Sequence, residues 1–180
     1  MPVPSDYYSM LARIESNNQL YARAPTSTAS GLYQFVRSTW ESLGGRWGSQ
    51  SGVAFGGLRP SREEQQRMVE RLTVQNASVL ERAGVLLNKA TLYAAHFLGA
   101  GAAARLLAAS PDTPIERVTT AAQRRANPTI LRPGGTVADF LAWLQRKTGD
   151  AVTAISGAGS RGATFPCPHC QGVIRADRAD

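Results

Sequence analysis

Glu15 closes a run of helix-spaced apolar residues, and Gly31-Leu32-Tyr33-Gln34-Phe35 follows after one short loop. The two pieces offer one carboxylate, Glu15, and one amide, Gln34, to a common site. A lone catalytic acid must keep its proton near neutral pH, so its pKa must be raised. The sequence supplies two reasons for such a rise. Glu15 lies four residues after Leu11 and seven after Tyr8, which puts it on the inward helix face, and partial burial disfavours the charged form. It also sits in the last turn, where the negative end of the helix dipole opposes a second negative charge.

What the pattern lacks is equally informative. Glycoside hydrolysis by the usual routes employs two carboxyl groups about 5 to 9.5 Å apart. The nearest other acids are Asp6, two helical turns or more behind Glu15, and Glu41, expected in a helix cap. If neither reaches the cleft, a sugar-cleaving site built here must take its nucleophile from the substrate. Gln34 presents a donor and an acceptor suited to an N-acetyl group or a ring hydroxyl, and Gly31 permits close backbone approach. Tyr33 either lines the cleft or packs inside. Ser30 and Thr28 either hydrogen-bond the glutamate or shape the loop. Tyr93 and His96 share one face of a later helix, one turn apart. Tyr93 is a sugar platform or a core aromatic, and His96 a satisfied buried side chain. Trp47 and Phe55 are expected exposed, for stacking on sugar rings, whereas Trp40 and Trp143 read as core.

The elements that position these residues read as helices. Ser5 is expected to cap a first helix carrying Tyr7, Tyr8, Leu11 and Ile14, ended by Ser16-Asn17-Asn18. A Thr/Ser/Ala/Pro-rich loop then delivers Gly31 to Phe35 as a short extended piece. Ser38 and Glu41 suggest a capping box for a brief helix closed by Gly44-Gly45. Residues 44–60 hold six glycines and read as loop. Ser61 with Glu64 opens a long helix to about residue 83. Shorter helices are expected over 88–98 and 102–109, another starting at Thr113-Pro114, and a last one over 136–147.

Three pieces in order carry a resemblance: Glu15-Ser16, Gly31-Leu32-Tyr33-Gln34, and Ala94-Ala95-His96-Phe97-Leu98-Gly99. Over residues 5–147 the chain resembles the soluble-type (goose-lysozyme-like) lytic transglycosylases, especially their phage-borne branch. That family carries Gly-Leu-Met-Gln and Ala-Ala-Tyr-Asn-x-Gly at the last two places. The resemblance implies a mainly α, lysozyme-like domain acting on peptidoglycan, with Glu15 as catalytic acid. It implies that the same glutamate protonates the glycosidic oxygen and then deprotonates the muramic sugar's 6-hydroxyl, giving a 1,6-anhydro product without a cofactor. Gln34, Tyr33, Ser30, Tyr93 and Trp47 are the substrate-binding residues expected. His96 and Phe97 depart from the family pattern, so this third motif carries over as backbone shape and packing. An inactive structural subunit with the same fold is the rival from another class.

Length and charge frame this reading. The 180 residues suit one domain over 1–148, a Gly/Ala/Ser-rich linker over 149–164 and a tail over 165–180. The net charge of +7 fits an anionic envelope surface or simple solubility. The arginines are scattered and not interleaved with aromatics, so nucleic acid is not an expected partner. No apolar run is long enough for a membrane span, and the first residues run straight into a helix pattern with no export leader expected. This leaves a virion tail or the host cytoplasm before release as the expected locations. In the tail, Cys167, His169 and Cys170 form half of a zinc ligand set. A closed zinc site needs four ligands, so the expectations are a zinc shared with a partner, such as a phage tail or hub protein, or no metal.

Overall fold

The end of the first helix fixes one half of the candidate site. In the computed structural model, which describes residues 3–152, α1 (Tyr7–Ser16) buries Tyr7, Met10, Leu11, Ala12 and Ser16. It stops because Asn17 and Asn18 both adopt left-handed backbone, at φ 52° and 62°, a conformation asparagine tolerates. Their amides donate to the carbonyls of Arg13 and Ala12, each at 3.1 Å, which satisfies the last turn as in a Schellman end. The expected Ser5 cap is not made. Asp6 takes the N-cap position without a side-chain cap bond, because its carboxylate reaches Lys89 Nζ at 3.0 Å.

α2 (Arg37–Ser42) corrects a second expectation. It starts too early for Ser38 to cap it, with Val36 at the N-cap. Glu41 instead pairs with Arg37 at 3.0 Å, and the Arg37 amide is satisfied by Thr28 Oγ1 at 3.0 Å. After a glycine-rich loop with a short 3-10 turn (Ala54–Gly57), α3 (Arg62–Arg82) begins as expected, Ser61 accepting the Glu64 amide at 3.2 Å.

α4 (Lys89–Leu98) is buried at every position from Ala90 onward, as a helix apolar on nearly every side must be, with its Thr91 and His96 hydrogen-bonded. It packs against α3, α5 (Ala100–Leu107) and α8 (Val137–Thr148). α6 (Ile115–Val118) and α7 (Ala121–Ala126) connect these. α7 escapes sequence reading because Ala-Ala-Gln-Arg-Arg-Ala has no apolar stripe. A capping box between Thr120 and Gln123 starts it, and Gln123 Nε2 anchors it on the Leu98 carbonyl at 3.0 Å.

The described part is mainly helical, and extended pairing in it is limited to isolated bridges at Arg23–Ser30, Ser30–Phe35 and Pro114–Thr136. Aromatic rings form two groups in tilted and edge contact, the geometry their quadrupoles favour. Phe35, Trp40, Phe55 and Trp47 adjoin one another at 4.8 to 5.5 Å. Tyr93, Phe97, Phe140 and Trp143 form the second group, at 5.0 to 6.2 Å. Trp40 is fully buried as expected, while Trp143 is half-buried at the edge of its group. Among the described residues no helix is long and apolar enough to cross a membrane. The linker beyond residue 152 and the cysteine tail lie outside the described residues.

Candidate functional site

The Gly31–Gln34 motif forms a tight turn. Ser30 and Phe35 exchange both backbone hydrogen bonds at 2.9 Å, and the four residues between them reverse the chain. Extended pairing is thus confined to the two flanking residues. Gly31 at φ 79° and Gln34 at φ 49° are both left-handed. For Gln34 this is an uncommon backbone state that the surroundings must hold in place. Its own side chain contributes, Nε2 donating to the Gly31 carbonyl at 3.0 Å and the Ala22 carbonyl at 3.4 Å. The donor side of the amide is thereby spent on the turn, and Gln34 as a whole is buried at 4% exposure.

Gly31 is required for a second reason. A Cβ placed on it would lie 2.5 Å from Phe55 Cζ and closer still to Gln65 Oε1. Phe55, expected to be exposed, is fully buried, because its ring fills the slot that this missing side chain opens. Ser30, also fully buried, locks the arrangement. Its hydroxyl donates to the Thr28 carbonyl at 2.8 Å and accepts the Phe55 amide at 3.2 Å. Ser30 and Thr28 therefore act here as loop-shaping residues. Trp47 is half-buried with its ring against Phe55 at 5.5 Å.

Tyr33 is buried at 3% exposure. Its carbonyl meets His96 Nε2 at 3.1 Å, so His96 is a buried, satisfied side chain that braces the turn from α4. The Tyr33 hydroxyl donates to Gln66 Oε1, and Gln66 Nε2 donates to Glu70 at 2.8 Å. Tyr93, on the same helix as His96, is also 3% exposed and stacks near Trp143 at 5.7 Å. The structure thus places the Tyr93 ring in the second aromatic group.

Glu15 lies in the last turn of α1, half-buried. Its neighbour Ser16 turns inward and donates to the Ala12 carbonyl at 3.0 Å. Tyr7 and Tyr8 form the adjoining layer, their rings 5.3 Å apart. Burial, then Tyr8, then the charge of Glu15 hold the Tyr7 hydroxyl far above the usual phenol range. Tyr8 is raised by burial, partly offset by its hydrogen bond with Thr73, and feels Glu70. Tyr33 is raised by burial, eased by Arg62, and also feels Glu70 and Tyr8. All three phenols stay protonated near neutral pH. Glu70 thus acts electrostatically on Tyr8 of the Glu15 helix and on Tyr33 of the motif turn.

Sequence reasoning missed Gln65, Gln66 and Glu70. Gln65 is fully buried and accepts the Leu32 amide at 2.8 Å. A signal was available, because Gln65 shares an apolar face with Met68, Val69 and Thr73, buried along the same helix. The two acids closest in sequence to the site are engaged elsewhere, Asp6 with Lys89 and Glu41 with Arg37, each at 3.0 Å. Among the described residues no cluster of three or more His, Cys, Asp and Glu side chains is suited to a metal. Cys167, His169 and Cys170 lie outside them.

No protein-family model matches the chain. Over 39 residues, 22% of its length, the chain is 44% identical to a probable transglycosylase, SceD, of Staphylococcus aureus strain bovine RF122 / ET3-1. The SceD of strain MRSA252 matches at the same level. The matched stretch spans 17% of those relatives' own length. The chain is therefore similar in part to a transglycosylase.

Proposed function

We propose that the protein is a peptidoglycan lytic transglycosylase that cleaves the MurNAc–GlcNAc β-1,4 bond with Glu15 as its one acid-base group. The observation that carries this reading is Glu15 itself, half-buried at a sharply ended helix beside a layer of protonated tyrosines. The partial likeness to a probable transglycosylase supports the same reading. Asp6 and Glu41 are held in ion pairs, and Glu70, the other carboxylate near the motif turn, accepts from Gln66; the mechanism we propose gives none of the three an acid-base role.

The Glu15 carboxylic acid gives its proton to the glycosidic oxygen as the bond to C1 breaks, and GlcNAc leaves as an alcohol. The resulting carboxylate takes the proton of the muramic 6-hydroxyl, whose oxygen closes onto C1. Glu15 ends protonated, no water is consumed, and the product is a 1,6-anhydromuramoyl end. The Gln34 amide oxygen is the acceptor we assign to a substrate N–H or hydroxyl, and the exposed edge of Trp47 the apolar contact. The setting we propose is a phage virion, with the Cys-Pro-His-Cys tail as an attachment to tail or hub proteins and a release-stage endolysin as the second setting.

Clearing of murein in a gel by the purified chain tests the proposal, with Glu15→Gln as control. The expected result is clearing that the substitution reduces by about 10²- to 10⁴-fold with the melting temperature retained. A folded wild type that clears nothing would favour the inactive structural subunit.

A further inference from the structure

An open pocket of about 600 Å³ lies between the end of α2 and the middle of α3. Arg67, Glu70 and Arg71 line it, with Leu43 and Val74 as its apolar surface, and Val74 is 64% exposed. Among the described residues no ion pair joins Glu70 to either arginine. Neutral partners aim two of these charges. Arg71 Nη1 donates to the Leu43 carbonyl at 3.2 Å, and Glu70 accepts from Gln66 at 2.8 Å. Because Gln66 also accepts the Tyr33 hydroxyl, two hydrogen bonds connect the motif turn to the pocket wall.

We propose that this pocket binds the short peptide that peptidoglycan carries on its muramic sugar, an inference that rests on the function proposed above. Arg67 and Arg71 face the peptide's carboxylates, which guanidinium groups hold through paired hydrogen bonds. Glu70 faces an amine, and Val74 the methyl group of an alanine. A carboxylate between two arginines disfavours a polyphosphate or nucleic-acid backbone, which offers only negative charge. A peptide with carboxylates, an amine and small apolar side chains matches all four residues.

Two substrates separate pocket from catalysis: glycan strands that keep their peptides, and strands stripped by an amidase. Arg67→Ala is expected to raise KM for peptide-bearing strands about tenfold, the loss of one charged hydrogen bond, with kcat unchanged. Stripped strands should be cut equally by both proteins. Equal effects on the two substrates, or no effect on either, would overturn the proposal. Titration with the free stem tetrapeptide needs no turnover. The wild type should bind it saturably and Arg67→Ala about tenfold more weakly, and absence of wild-type binding also overturns the proposal. Peptide binding without any glycan cleavage would instead remove the transglycosylase reading and leave the pocket's ligand in place.

Discussion

Gln65 accepts the Leu32 amide at 2.8 Å and, through Nε2, donates to the carbonyls of Leu20 at 3.0 Å and Pro60 at 3.2 Å. One fully buried side chain thereby ties the segment leaving α1, which ends in the Glu15 turn, to the Gly31–Gln34 turn. The relative placement of acid and amide depends on this clamp.

Gln65→Leu keeps much of the volume and removes all three bonds. Each buried backbone group left without a partner costs about 1 to 3 kcal/mol, so a loss of about 3 kcal/mol or more is expected in urea unfolding. Activity per folded molecule should fall as well, because the turn loses its anchor. Unchanged stability would show that water or a shifted backbone replaces the glutamine.

Gly31→Ala combines a left-handed φ of 79° with a Cβ 2.5 Å from Phe55. Strained backbone of this kind costs about 1 to 3 kcal/mol, and displacing Phe55 adds to it. Gly44→Ala is the control, also left-handed at φ 91° but with nothing within 4 Å of its Cβ. The calorimetric destabilisation at Gly31 should exceed that at Gly44, and equality would remove the steric argument.

These positions show how far the sequence could be read. Helix α1 and its end were legible because the Tyr8, Leu11 and Glu15 spacing runs into two asparagines. Helices α3 and α8 were legible from capping residues and periodic apolar positions. The motif turn was not, because Tyr33 and Phe35 suggest extended chain, while the reversal depends on left-handed Gly31 and Gln34. Phe55 was read as exposed from its glycine-rich neighbourhood, yet the slot that buries it is created by a glycine 24 positions earlier. Long-range complementarity of this kind has no local signature. The burial of Gln65 could have been read from its helix face, but its partner Leu32, like Tyr33 for Gln66, lies 33 residues away and has no local signature.

Lys89 joins the start of α1 to the end of α8, through Asp6 at 3.0 Å and Asp150 at 3.5 Å. Its hydrogen bond to Asp6 holds that carboxyl below its usual range and raises the lysine. A depressed carboxyl stabilises the fold above its unfolded pKa, about 3.9, and the contribution fades as pH falls through the lower folded value. Melting temperatures of the wild type and Asp6→Asn should therefore differ at pH 6 and converge as pH falls below about 3. A gap that stays constant across this range would exclude the ion pair as its source. The raised Lys89 contributes fully below about pH 10.4 and loses its share as pH climbs through the folded value.

The most direct test of the account is mass spectrometry of muropeptides released from purified murein by the wild type and by Glu15→Gln. The account predicts fragments 18 Da lighter than their hydrated counterparts, the mass of one water, carrying 1,6-anhydromuramoyl ends that resist borohydride reduction. With Glu15→Gln these fragments should be lost. Wild-type products with only reducing ends would contradict it, since water and a second carboxyl would then have to take part.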